Sequence, residues 1–412
     1  MMRKIAAIMT MVLVLVVVFF LALPRQEITS DKAKNFDDFV SALINENGIP
    51  GVAIAVIKDQ KIERLQGYGF ADVQTGRKMT GDTPINIASI SKPIMGIAVL
   101  QLAERNMLDI DEDVNAYLPF RVDNPHTSDE KITLRNLATH TSSVADFYDV
   151  NDFTPGVDAP TLLVDHLNSL LVPTGSRFQE GEHYLKTRPG EQREYSNLGA
   201  GVAGAVAEAV SGKSLNDLTQ EGVFGPLDMT RTSWLLEDFP AGQLATRYEV
   251  EQCISWVNIC ADTESPRLNH VISKIFDPSS DNKHPKAYPQ FGNPNYPDGG
   301  VHSSAADLAK LVMSILNDGK YENGALLQAA SFEEMLRLQL PPELSKRQRF
   351  FWRDRDGMTG HSGSDLGVYS SLYFDHAKGD AVIILMNRTP DAKTEDAMKQ
   401  IMGRARQSLL AR

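Results

Sequence analysis

Residues 85–104 read INIASISKPIMGIAVLQLAE, and two residue types in this stretch decide how the chain is read. Ser89 and Lys92 stand three apart where an apolar run begins, and the pattern predicts a helix. Residues at i and i+3 share a helix face, so the Lys92 amine can reach the Ser89 hydroxyl. A serine hydroxyl is a weak nucleophile until a base takes its proton. A lysine serves as that base only if burial or neighbouring cations lower its proton affinity. The helix N-terminus adds backbone N–H groups aimed at developing negative charge. Pro93 fits the first turn, where a missing N–H costs little. The plainer alternative is a serine cap on a helix with a solvated lysine. The spacing alone does not choose, because Ser128–Lys131 and Ser280–Lys283 repeat it in polar, loop-like stretches.

Two other stretches shift the balance toward chemistry. Residues 188–212, RPGEQREYSNLGAGVAGAVAEAVSG, place Tyr195, Ser196 and Asn197 at the head of a helix of small residues. A phenol beside an ammonium shuttles protons. An asparagine offers a donor and an acceptor to a substrate amide. Ser280-Asp281-Asn282 is a competing match in a loop-like segment, and Tyr321–Asn323 lies in a turn-like one. Residues 358–375, MTGHSGSDLGVYSSLYFD, carry His361-Ser362-Gly363 and then Ser364 at the entry to a strand. This is the one H-x-G in the chain. A glycine there lets a substrate backbone lie along the strand edge. The imidazole binds an anion when protonated and forms neutral hydrogen bonds otherwise. The stretch is not a nucleophile elbow, which needs glycine at position 364.

The rest of the chain supplies context. Its 412 residues are 42% hydrophobic and 23% charged, enough for a large core. A net charge of −12 argues against a nucleic-acid partner. Met1–Lys4 is basic, and Ile5–Leu23 is an uncharged apolar run long enough to approach a bilayer core of ~30 Å. With little resembling a cleavage site after it, this run reads as a retained transmembrane anchor, with a cleaved signal peptide as the alternative. Arg3 and Lys4 orient the remainder outside the cytoplasm, on the periplasmic side of the inner membrane. Cys253 and Cys260 are the only cysteines, and an exported setting favours a disulfide across CISWVNIC. Reduced buried thiols are the alternative. No metal-ligand spacing surrounds them.

Residues 31–47 show a helical apolar period, and residues 51–73 read as a hairpin. A second strand pair surrounds HAKG at 376–379, and the last twenty residues return to helix. Strands at both ends with helices between predict one antiparallel sheet built from the two chain ends. Residues 249–298, dense in Pro, Asn, Asp and Gly, read as irregular chain.

In this order, the three motifs resemble those of the serine β-lactamase and penicillin-binding protein superfamily, nearest to its class C and DD-peptidase-like esterase branch. The stretches ITLRNLATHTSSV from Ile132, VFGPLDMTRTSW from Val223 and DGGVHSSAADLAKLVMSILNDG from Asp298 agree with it. The resemblance spans about residues 31–410. It implies an α/β fold of the β-lactamase/transpeptidase type, an antiparallel sheet flanked by helices with an inserted helical domain. An N-terminal transmembrane segment, residues 1–27, would precede this domain of residues 31–412. The α/β part would come from about 31–85 and 295–412, the helical part from 86–248, and a loop-rich insertion from 249–294.

The resemblance also implies roles. Ser89 would be the acylated nucleophile, Lys92 its base and Tyr195 the general acid and base. Asn197, His361, Ser362, Gly363 and Ser364 would bind substrate, with the Ser89 and Ser364 amides as oxyanion hole. No cofactor and no metal are implied. The substrate would be a small-molecule ester, peptide or lactam, and the third motif departs from the class C pattern, which has lysine where His361 stands. That departure points to DD-peptidases and esterases over efficient β-lactamases. A non-catalytic envelope protein on the same fold would have lost a motif member, and none is missing. Ser143 stands where many relatives have glycine.

Overall fold

The computed structural model describes residues 35–127, 130–179, 181–254, 259–261 and 283–410. The expected anchor, Ile5–Leu23, lies outside them, as do Ser128 and Ser280-Asp281-Asn282. Among the described residues no helix is long and apolar enough to cross a membrane.

In chain order, helix α1 (Phe36–Glu46) leads into strands β1 (Gly51–Lys58), β2 (Lys61–Asp72) and β3 (Arg77–Lys78). Helices α2 (Ser91–Glu104), α3 (Leu134–Thr139) and α4 (Asn197–Ser211) follow. Then come β4 (Arg247–Ile254), β5 (Ile259–Ala261) and β6 (Lys283–Tyr288), and helix α5 (Ala305–Leu316). The chain closes with β7 (Arg353–Arg355), β8 (Met358–Asp365), β9 (Val368–Asp375), β10 (Asp380–Met386) and α6 (Ala392–Leu410).

The main sheet runs β7-β8-β9-β10-β1-β2-β3, all antiparallel. The two chain ends meet where β1 pairs with β10, from Val52 opposite Met386 to Ile57 opposite Ala381. Side chains alternate across a strand, so β1 feeds two cores. Val52, Ile54 and Val56 pack under α1 and α6, while Ala53, Ala55 and Ile57 face the larger core around α2, α4 and α5. A strand covered on both faces needs no polar alternation, which is why GVAIAVIK is apolar throughout. Helix α2 obeys the same logic. It is hydrophobic on nearly every side and buried from Ser91 to Leu100.

Where it is described, part of the stretch expected to be irregular, residues 249–298, is strand. β4, β5 and β6 form a separate antiparallel sheet in the order β5-β4-β6. Cross-strand pairing can accept turn-forming residues when the partner strands supply the hydrogen bonds, and composition does not register that. Cys253 is the register partner of Cys260 in this sheet. The expected disulfide itself lies outside what is described, because their side chains are not.

Ser143 has φ +62° and a buried hydroxyl without a hydrogen-bond partner. Glycine takes that backbone region without a Cβ penalty, and it removes the unpaired oxygen. Ser143→Gly should therefore stabilise the fold by about 1 kcal/mol. A urea titration that shows no rise in midpoint would refute this account.

Candidate functional site

Helix α2 begins at Ser91, and Ser89 sits in the tight turn Ala88–Ile90 just before it. Ser89 therefore does not cap the helix. Its spacing to Lys92 nevertheless survives, because turn and helix are continuous. Ala88 adopts φ +46°, a conformation a residue with a β-carbon holds only when its surroundings impose it. Those surroundings are visible. Ala88 N–H donates to Asn86 Oδ1 at 3.0 Å, and Ser370 Oγ on β9 donates to Ile87 O at 2.6 Å.

Lys92 is fully buried, at 0% exposure. Its Nζ lies 3.0 Å from Ser89 Oγ and 2.8 Å from Asn197 Oδ1, and it also meets the backbone carbonyl of Asp298. A neutral amine has two N–H bonds and one lone pair. It can donate to Asn197 and Asp298 while accepting the Ser89 proton, which suits a base. Tyr195 reaches the same oxygen from the other side, with its hydroxyl donating to Ser89 Oγ at 2.9 Å. Lys92 Nζ is 5.0 Å from the Tyr195 ring centroid. Asn197 is the first residue of α4, and its N–H donates to Asp146 Oδ1 at 2.6 Å.

The third motif lies on β8. Residues 361–364 pair with β9 on one side, whereas β7 pairs only with residues 358–360 on the other. The edge beyond Gly360 therefore turns toward the Ser89 segment. A β-carbon added at Gly363 would fall 2.6 Å from Ser89 N and 2.8 Å from both Ala88 Cβ and Ile87 O. Only glycine permits that approach, and Ser364 follows it directly. His361 donates from Nδ1 to the Ser362 carbonyl at 2.7 Å, which leaves Nε2 with its lone pair. Burial, helped by Lys92, Arg193 and Arg353, pushes its proton affinity down to about 3. His361 is thus neutral at ordinary pH. Of the two roles open from the sequence, the cationic anion binder is not the one this environment supports.

Several residues here had no role in the sequence reading. His140 is buried with its ring 4.4 Å from that of Tyr195. Burial holds it well below its ordinary proton affinity, and Nδ1 accepts from Ser196 N–H at 3.3 Å. Asn295 Nδ2 bridges Asn197 O at 3.0 Å and the Asp298 carboxylate at 3.2 Å. The Asp298 carboxyl is pushed up to about 7, first by burial, against the pull of Lys92. The stretches holding His140 and Asp298 were visible in the sequence, but no spacing rule linked them to Ser89. Tyr321, by contrast, belongs to a hairpin of Lys320–Tyr321 with Gly324–Ala325. Among the described residues no cluster of His, Cys, Asp or Glu could hold a metal ion.

Ser89, Lys92, Tyr195, Asn197 and Gly363 thus converge from three separated segments. Residues 36–406 match the family model Beta-lactamase. The chain belongs to the beta-lactamase family. Protein flp of Staphylococcus aureus strain N315 is 29% identical over 224 residues, covering 54% of this chain and 43% of the relative. The matched part is therefore less than half the length of that relative. Esterase EstB of Burkholderia gladioli is 30% identical over 206 residues, or 48% of this chain and 50% of the esterase. In fold, the chain is similar to a penicillin-binding protein from Bacillus halodurans. The TM-score is 0.64 at 21% identity, covering 90% of this chain and 99% of that one. The family's members include serine hydrolases of ester, peptide and lactam bonds.

The close approach at Gly363 gives a direct test. Gly363→Ala should slow acylation of Ser89 by at least ~100-fold, because displacement by about an ångström is costly in a preorganised site. Time-resolved intact mass with a penicillin or an activated ester measures it, and an unchanged rate would reject the proposed alignment.

Proposed function

We propose that this protein is a serine hydrolase that cleaves an ester, peptide or lactam carbonyl through an acyl-enzyme on Ser89. The observation that carries the reading is the shared Ser89 oxygen, held by both Lys92 and Tyr195. In the first step Lys92 takes the Ser89 proton as the oxygen attacks the carbonyl carbon. The negative oxygen that forms lies toward the backbone amides of Ser89 and Ser364. Tyr195 passes a proton to the leaving group as its bond to the carbonyl carbon breaks. In the second step a water gives its proton to Tyr195 and attacks the ester carbon, and Ser89 leaves with a proton returned through Lys92. Asn197 orients the acyl group. Export and membrane tethering through Ile5–Leu23 complete the proposal, and only the sequence of that run supports them.

Intact mass after brief exposure to a penicillin tests this reading. Wild type should gain one acyl group or hydrolyse the drug, and Ser89→Ala should do neither. Turnover of any substrate by Ser89→Ala at the wild-type rate would overturn the mechanism. A persistent adduct favours a DD-peptidase-like enzyme. Drug hydrolysis favours a β-lactamase, and an intact drug with ester turnover favours an esterase.

The neutral state of His361 shifts attention to its neighbours. Arg193 and Arg353 both lower its proton affinity, and among the described residues neither makes an ion pair. Arg193 contacts Gln348 Oε1 at 2.9 Å. We propose that these guanidiniums attract a carboxylate on the leaving-group side. Arg353→Ala should raise KM about tenfold for carboxylate-bearing substrates and leave uncharged esters nearly unaffected, as expected for one lost charge-assisted contact. Equal changes for both classes would reject the assignment.

A further inference from the structure

We propose that the face of the main sheet turned away from Ser89 carries a second ligand site, between β9 and α6, that takes a small carboxylate with an aromatic or aliphatic body. The site stands independently of the serine-hydrolase reading.

Strand β9 has a different task on each face. Ser370 and Leu372 point to the Ser89 side, where Ser370 Oγ donates to Ile87 O and Leu372 joins the larger core. Tyr369, Ser371 and Tyr373 alternate with them. All three line a cavity of about 180 Å3 under α6. Met358 on β8 and Met398 and Met402 on α6 supply its apolar surface. The floor is fixed, since Met358, Ser371, Tyr373 and Met398 are buried. A cavity of about 150 Å3 is enough to admit a benzene ring into a protein interior, so a body of phenyl size fits here. Thioether side chains adapt readily to such a body.

The rim sets the ligand's charge. Arg355, Lys399 and Arg406 stand on the wall, and Asp356 is its one acidic residue. The Asp356 carboxylate is largely exposed and lies 3.6 Å from Arg355. Arg406 donates to the Asp356 backbone carbonyl at 2.6 Å, a contact that leaves the charge of the guanidinium uncompensated. Lys399 has Glu395 at 3.9 Å, outside the wall. Asp356 and Glu395 thus balance two of three cations, and one positive charge is left over. Arg355 lies beside Tyr373 and Tyr369. Burial pushes the Tyr369 phenol above its ordinary value, so its hydroxyl stays a donor. Hydroxyls and a guanidinium fork around one opening suit a carboxylate.

Gly403 is the second, independent sign. It is the one glycine among the 19 residues of α6. Glycine inside a helix is unfavourable relative to any ordinary non-proline residue. Packing does not call for it, because a β-carbon at 403 would meet no atom within 4 Å. The position lies on the cavity wall, one turn from Lys399. A side chain there would extend across the opening, and its absence leaves the cavity accessible.

Phenylacetate and phenylacetamide, alike in shape and different in charge, test the site in a ligand-observed NMR titration. Phenylacetate should bind the wild-type protein with a Kd of about 1 mM or tighter, and the amide at least ~10-fold more weakly. In Gly403→Leu the phenylacetate affinity should fall at least ~10-fold, while the melting temperature without ligand does not drop, because leucine is the better helix former. Arg355→Gln should weaken phenylacetate and leave phenylacetamide unchanged. The cavity and Ser89 lie on opposite faces of the sheet, so an acid bound in the Ser89 cleft would keep its affinity in Gly403→Leu. That result would overturn the inference, as would equal affinities for acid and amide or no saturable binding of phenylacetate. If the leucine variant does not fold, the acid-to-amide ratio in wild type and in Arg355→Gln decides the matter. None of these outcomes touches the mechanism at Ser89.

Discussion

The buried amine of Lys92 is the contact on which the candidate site depends. A lysine nitrogen taken wholly out of water requires partners for its hydrogens and its lone pair. Here Ser89, Asn197 and the Asp298 carbonyl meet that demand, and each comes from a different part of the chain. Loss of one partner would leave a buried polar group unsatisfied, at a cost of about 1–3 kcal/mol. The fold therefore holds the start of α4 and the Asp298 turn against the head of α2 for its own stability. Correct placement of Asn197 comes with the same contacts.

Beside that amine the third-motif side of the cleft carries positive charge. Arg193 and Arg353 stand by the third motif, where two neutral histidines, His140 and His361, surround the approach to Tyr195 and Ser89. Keeping those imidazoles uncharged matters electrostatically. A cation on His361 would repel the guanidiniums of Arg193 and Arg353.

Much of this was legible in the sequence, for reasons that differ by element. The β1–β2 hairpin, the β9–β10 pair and α6 were readable because local periodicity reports burial. Ser89, Lys92, Tyr195 and His361 were readable because their motifs are local and together point to one family. Three things were not. The β4–β5–β6 sheet was missed because its strands owe their pairing to partners, with Pro285 inside one of them. The Ala88 conformation depends on Asn86, Gly363 and Ser370, and no local signal marks it. Asp298 was hidden because its link to Lys92 runs through a backbone carbonyl, which any residue could supply.

The order of strands in the main sheet has a consequence for synthesis of the chain. β1 emerges from the ribosome early, but its neighbour β10 is made more than three hundred residues later. The turn bearing Ser89 is held in place by Ser370 and bordered by Gly363, both from the late hairpin. A nascent chain that already contains Ser89, Lys92 and Tyr195 therefore lacks the surface that shapes the Ser89 backbone. The Ser89 turn is therefore shaped only once the β8–β9 hairpin has been made, and the same delay leaves the apolar edge of β1 for chaperones to shield in the meantime.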